Sequence, residues 1–271
     1  MKRNLFALLS LLFLFACSQP MAYYQSVGFD ERYVIVGENP LKKPLTNQGF
    51  YTIWYDHQKR PVKICYGLTN TLLPDPAFGV EQILFEYSPT NEKRLFLDAS
   101  NHLKVSPQQG YAIAILDYNE KGQAVQVRYY DTNFSPAFDQ RKAFRYEWRR
   151  DEKNRITKVT GYDTHGQVVS FMGIASVEWT YDRQGNLIEQ RYYDASGNLT
   201  SKTFWGYAIE KRSYDRKKRL IEQAFYDETG RPVNYNFWHI HKYRYFYDRK
   251  GRLTNTIRYM VTNGEIVQVA R

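Results

Sequence analysis

Cysteine is nearly absent: the 271 residues hold two, Cys17 and Cys65, too few for a disulfide framework. Long apolar runs are also missing. The longest, Leu5 to Ala16, falls short of the ~20 residues that a membrane-spanning helix needs. No window beyond that run shows a sustained helical stripe. There is no G-x-S-x-G elbow, Walker loop, H-E-x-x-H or EF-hand loop, and so no motif for the commonest hydrolytic, nucleotide or calcium chemistry. His239 and His241 alternate as two metal ligands on one strand face would, but no third ligand stands near them. These absences argue for a non-enzymatic chain with no cofactor and no metal.

The N-terminus is more informative. Met1-Lys2-Arg3-Asn4 precedes the apolar run, which ends Leu14-Phe15-Ala16-Cys17-Ser18. Two positive charges followed by a short apolar segment make a secretory signal. Leu14 and Ala16 before Cys17 resemble the lipobox of bacterial lipoproteins. That resemblance implies cleavage after Ala16, acyl chains on Cys17, and a membrane anchor stronger than one chain provides. Ser18 in place of Asp implies the outer membrane if the cell is Gram-negative. Loss of residues 1–16 leaves 255 residues and lowers the net charge from +10 to +8. The chain stays basic, which favours anionic partners. Cys65, alone once Cys17 is lipidated, reads as an inert strand cysteine.

What is abundant is aromatic: 24 Tyr, 16 Phe and 5 Trp, residues that suit pleated, half-buried surfaces. They fall in a repeat. Tyr-Asp, two polar residues, Gly, a polar residue and then Leu or Val recurs at Tyr162–Val168, Tyr181–Leu187, Tyr193–Leu199, Tyr214–Leu220, Tyr226–Pro232 and Tyr247–Leu253. Spacings between the Asp residues alternate between 12 and 21, so the period is 33 residues with two turns in each. Earlier pairs are Asp151 with Asp163, Asn119 with Asp131, and Ser88 with Asp98. Asp56 opens a first unit without a visible second turn, and Met260 occupies the last second-turn position. An Asp that ends a strand accepts backbone hydrogen bonds and closes a turn, and a Gly three residues on adopts positive φ. Asn154 and Lys218 replace that Gly in two copies.

At these residues the sequence resembles the tyrosine–aspartate (YD) repeats of RHS-type proteins, over about residues 50–268. The resemblance implies β-hairpin repeats and nothing catalytic. The fold expected is all-β, an elongated, solenoid-like antiparallel β-hairpin repeat array of about seven units, with a closed propeller as the alternative. The domains expected are a signal peptide (1–16), a lipidated tether and lead-in (17–48), and the repeat domain (49–271).

Two features are candidates for binding. First turns are basic, with Arg183, Arg216, Lys217, Lys218, Arg219, Arg249 and Lys250 forming a stripe along one edge, while second turns are not. Such a stripe attracts anionic polymers, or it keeps an edge soluble. Three residues before each first-turn Asp position lies a mostly aromatic column containing Trp148, Trp179 and Tyr245, with Arg212 interrupting it; Trp205 and Trp238 form a shorter one. Stacked rings could hold a sugar or base, or simply build the core. The expected role is a lipid-anchored envelope binding or scaffold module. Its partner would be an anionic polysaccharide, lipopolysaccharide or a protein, with no specific nucleic acid. The alternatives are an immunity or accessory protein for a secreted toxin and a glycan-active envelope enzyme.

Overall fold

The structure, a computed structural model, describes residues 21–29 and 34–269; Cys17 lies outside them. Its strands are β1 (Met21–Phe29), β2 (Ile35–Leu41), β3 (Phe50–Tyr55), β4 (Pro61–Leu68), β5 (Thr71–Leu72), β6 (Gln82–Tyr87), β7 (Asn91–Leu97), β8 (Ile113–Tyr118) and β9 (Ala124–Tyr130). They continue as β10 (Arg145–Arg150), β11 (Ile156–Tyr162), β12 (Ser176–Tyr181), β13 (Leu187–Tyr193), β14 (Ile209–Tyr214), β15 (Leu220–Tyr226), β16 (Lys242–Tyr247), β17 (Leu253–Thr262) and β18 (Glu265–Gln268). All belong to one open antiparallel sheet, and no helix occurs among the described residues. Past β4 nearly every strand pairs with its sequence neighbours, so the array is a meander rather than a propeller.

Turn chemistry explains the regularity. At the first turns the Asp Oδ1 accepts backbone N–H groups two and four residues on, as Asp151 does from Lys153 and Arg155, both at 3.0 Å. The fourth turn residue is left-handed, with φ of 89° at Gly185 and 84° at Gly251, and of 66° and 62° at Asn154 and Lys218. A bulge falls at the Tyr of most first turns, including Tyr181, Tyr214 and Tyr247.

That Tyr also joins one unit to the one before. The Tyr247 hydroxyl donates to the Leu220 carbonyl at 2.8 Å, Tyr181 to Ile156 at 3.0 Å, and Tyr87 to Pro61 at 2.7 Å. Where Arg150 replaces Tyr, its Nε donates to the equivalent Ala124 carbonyl at 2.8 Å. The Arg four residues after the previous Asp covers the ring: Arg60 lies 4.1 Å from the Tyr87 centroid, Arg155 4.5 Å from Tyr181 and Arg219 4.7 Å from Tyr247. Tyr247→Phe keeps the ring and loses one hydrogen bond, an expected cost of about 1 kcal/mol in urea unfolding. No loss would mean that water serves the Leu220 carbonyl as well.

One sheet face is buried in the N-terminal half around Ile53, Ile64, Ile83, Phe96, Leu116 and Val127. Tyr192, Tyr207 and Phe225 form a second, smaller cluster. Cys65 is buried too, and burial pushes its thiol above the usual range.

The ends add to the repeat. Residues 21–29 and 35–41 form strands of the sheet: β1 pairs with both β2 and β3, and Ile35 joins the core. The missing second turn of the first unit is the tight β4–β5 hairpin at Thr69-Asn70, which has no Asp to mark it. At the other end β17 runs through Met260 and reverses at Asn263-Gly264, a positive-φ pair suited to a two-residue hairpin.

Candidate functional site

First turns join the two strands of each hairpin; second turns and the loops that follow them lie at the opposite edge. The basic stripe therefore forms on one edge, but its members differ. Arg219 is structural: its Nε donates to Asp215 Oδ2 at 2.7 Å, its guanidinium covers Tyr247, and its Nη1 reaches the Asp248 carbonyl at 3.4 Å. Lys218 donates to the Gln184 carbonyl at 3.0 Å. Arg183, Arg216, Lys217, Arg249 and Lys250 are exposed and form no side-chain ion pair among the described residues. Backbone hydrogen bonds from Arg219 and Arg252, with the guanidinium groups behind them, hold Asp215 and Asp248 below the usual carboxylate range. The Asp series is thus engaged in closing turns.

The chain enters at this same edge. Met21, the first residue of β1, pairs with Trp54, two residues before Asp56, so β1 begins beside the first turns.

The aromatic column shares one sheet face without forming a continuous row. Trp148 is 7 % exposed and belongs to the N-terminal core. Trp179 is half-buried and donates to Gln190 Oε1 at 2.8 Å. Tyr245 donates to Gln223 at 3.2 Å and stacks on Tyr243. Between the last two, Arg212 is locked by the buried Glu210, which also receives Gln223 Nε2. His239 is not on a strand: it sits in a loop at φ 52°. His241 is buried with Nδ1 2.9 Å from the Phe225 carbonyl, and burial lowers its basicity. No cluster of three metal-ligating side chains occurs among the described residues.

Two features went unread in the sequence. A groove of about 560 Å³ opens over β10 to β12, lined by Glu147, Arg149, Lys158, Tyr162 and the turn at Asp194. Glu147 and Arg149 share β10, while Lys158 comes from β11 and Asp194 from a turn, so the register completes it. The other feature is a row of exposed apolar side chains along the second-turn edge; its signal, Phe at a spacing of 33, is present in the sequence.

No family model matches the chain, and no curated protein matches it. Several solved structures do. One containing TcdB2-TccC3-TEV aligns at 10 % identity and TM-score 0.39, covering 89 % of this chain and 11 % of that one. The Photorhabdus luminescens Tc holotoxin pore with a TccC3 mutation aligns at 13 % and 0.31, covering 85 % and 15 %. A porin-like protein from Bacteroides uniformis aligns at 8 % and 0.33, covering 93 % of each. The chain spans only a small part of the toxin chains, and at these TM-scores nothing about its activity or partners follows.

Proposed function

We propose that the protein is a non-enzymatic envelope module, held to the outer membrane by acyl chains on Cys17, whose first-turn edge binds an anionic envelope polymer. One observation supports this most: Arg183, Arg216, Lys217, Arg249 and Lys250 project from successive turns of one edge with no carboxylate partner among the described residues, while Arg219 and Arg252 at two of the same turns are paired. A cation that merely closed its turn would be paired as those are. An unpaired row concentrates positive potential, and contact with a polyanion is then strongly weakened by salt.

The test is co-sedimentation with purified lipopolysaccharide across a salt gradient. Replacing the five unpaired residues with Ser while keeping Arg219 is expected to weaken binding at least tenfold and leave the melting temperature unchanged. Unchanged binding overturns the reading. Replacing Arg219 alone should do the reverse, lowering stability with little effect on binding.

A further inference from the structure

The edge opposite the basic turns carries a ridge that repeats with the fold. Val105, Phe138, Phe171, Phe204 and Phe237 are spaced 33 residues apart, one per unit, in the loops that lead back into the sheet. Each is exposed, at 43, 44, 37, 47 and 48 %. Met172 and Trp238, each next to a ridge Phe, are 54 % and 70 % exposed. At the last step of the row the loops touch: the Phe204 and Phe237 rings meet at 4.7 Å, and Asn236 Nδ2 donates to the Phe204 carbonyl at 3.1 Å.

A side chain needed only to fill the core would be covered, and solvated loops do not place an exposed apolar residue at the same position of five successive units. With aromatic side chains of about 150–250 Å², the seven residues present roughly 650 Å² of apolar surface. Summed over five loops, that is on the scale of an ordinary monomer's largest patch, ~300–600 Å².

We infer that this ridge is the interface on which two copies of the chain pair, back to back, about a twofold axis. Two such ridges bury roughly 1,300 Å², inside the range of about 1,200–2,000 Å² for specific interfaces. Charge selects the same edge. A chain of net charge +10 repels its copy, but the ridge edge carries both signs: Asp194, Asp227 and Glu228 stand there with Arg141, Lys142, Lys202 and Arg231. Mixed signs at the rim allow a self-complementary border. A bilayer is the less suitable occupant: the chain enters at the basic edge, so an anchored molecule turns its ridge away from its own membrane. That last step rests on the anchoring proposed above; the area and charge arguments do not.

The test is disulfide cross-linking of the full chain in cell envelopes. Trp238→Cys is expected to give a band of twice the mass under mild oxidation, while Lys217→Cys on the opposite edge gives none; Cys65 is buried. Adding Phe204→Ser and Phe237→Ser should lower the dimer yield more than tenfold while the circular dichroism spectrum is kept. A monomer band alone, or a cross-link to a chain of different mass, overturns the dimer. Quenching of Trp238 fluorescence by brominated lipid would also overturn it, in favour of a membrane face. A dimer found in a protein that fractionates away from membranes would overturn the anchoring and leave the interface standing.

Discussion

Arg94→Ala is expected to cost about 3–5 kcal/mol of folding stability, because it strands a carboxylate in the core. Arg94 is 2 % exposed and pairs with Glu92, whose side chain is 3 % exposed, at 2.5 Å. Both point from β7 to the buried side of the sheet. Arg94 lies opposite Phe85 on one neighbouring strand and Ala114 on the other; Glu92 lies opposite Tyr87 and Leu116. The Tyr118 hydroxyl donates to the second Glu92 oxygen at 2.9 Å, so both carboxylate oxygens are engaged. Removing the guanidinium removes one partner and leaves the desolvation in place. Replacing all three groups together, Glu92→Leu, Arg94→Met and Tyr118→Phe, removes the charges and the orphaned acceptors, and should recover most of the loss. Chemical denaturation followed by tryptophan fluorescence gives both numbers. A single variant no worse than the triple would show that the three groups are not coupled.

The same pair shows where reading the sequence stops. Turns were legible because their chemistry is local: Asp, then a left-handed residue, closes a hairpin whatever packs on it. That logic located Asn154 and Lys218 as Gly substitutes, and both adopt positive φ. It pointed to an open hairpin array, which the sheet is. It could not mark Thr69-Asn70, a turn with no Asp, nor foresee that β17 continues through Met260. Charged residues were harder. Arg219 reads as one more surface cation, and only the register shows it clamped between Asp215 and the next Tyr. Nothing local in the sequence marks Glu92 and Arg94 as buried, because burial depends on what packs on that face of the sheet. The hydroxyls of Tyr87, Tyr181 and Tyr247 each span two units, which no single window contains. Trp148 was a candidate ring platform, and the N-terminal core absorbs it. The Phe ridge is the opposite case: its 33-residue period is plain in the sequence, but a Phe in a loop closes no turn, and only its exposure sets it apart from core.

Asp75→Asn should leave stability nearly unchanged at pH 4 and raise it by about 3 kcal/mol at pH 7, since each tenfold change in proton affinity is worth about 1.4 kcal/mol. Asp75 is 4 % exposed in the loop between β5 and β6. Burial pushes its carboxyl up to about 6; the Phe78 and Gly79 amides it accepts pull the other way, and Glu81 adds to the rise. The native protein therefore holds a proton that the unfolded chain releases between about pH 4 and pH 6. Stability from this group is full below the unfolded value and is lost as pH rises through the folded one, opposite to the turn aspartates. Asn keeps an oxygen for the two amides and carries no charge at any pH. Urea midpoints of both proteins from pH 4 to pH 7 test this: a gain independent of pH would rule out ionisation as the cause, and a loss at pH 7 would mean the carboxylate's bonds outweigh its burial. Equivalent loops favour the gain. Ser106 caps the next one by accepting the Gln109 amide at 3.0 Å, and Thr203 caps a later one by accepting the Gly206 amide at 3.1 Å. A neutral oxygen therefore suffices at this position, and the charge on Asp75 adds a desolvation cost that the other loops avoid.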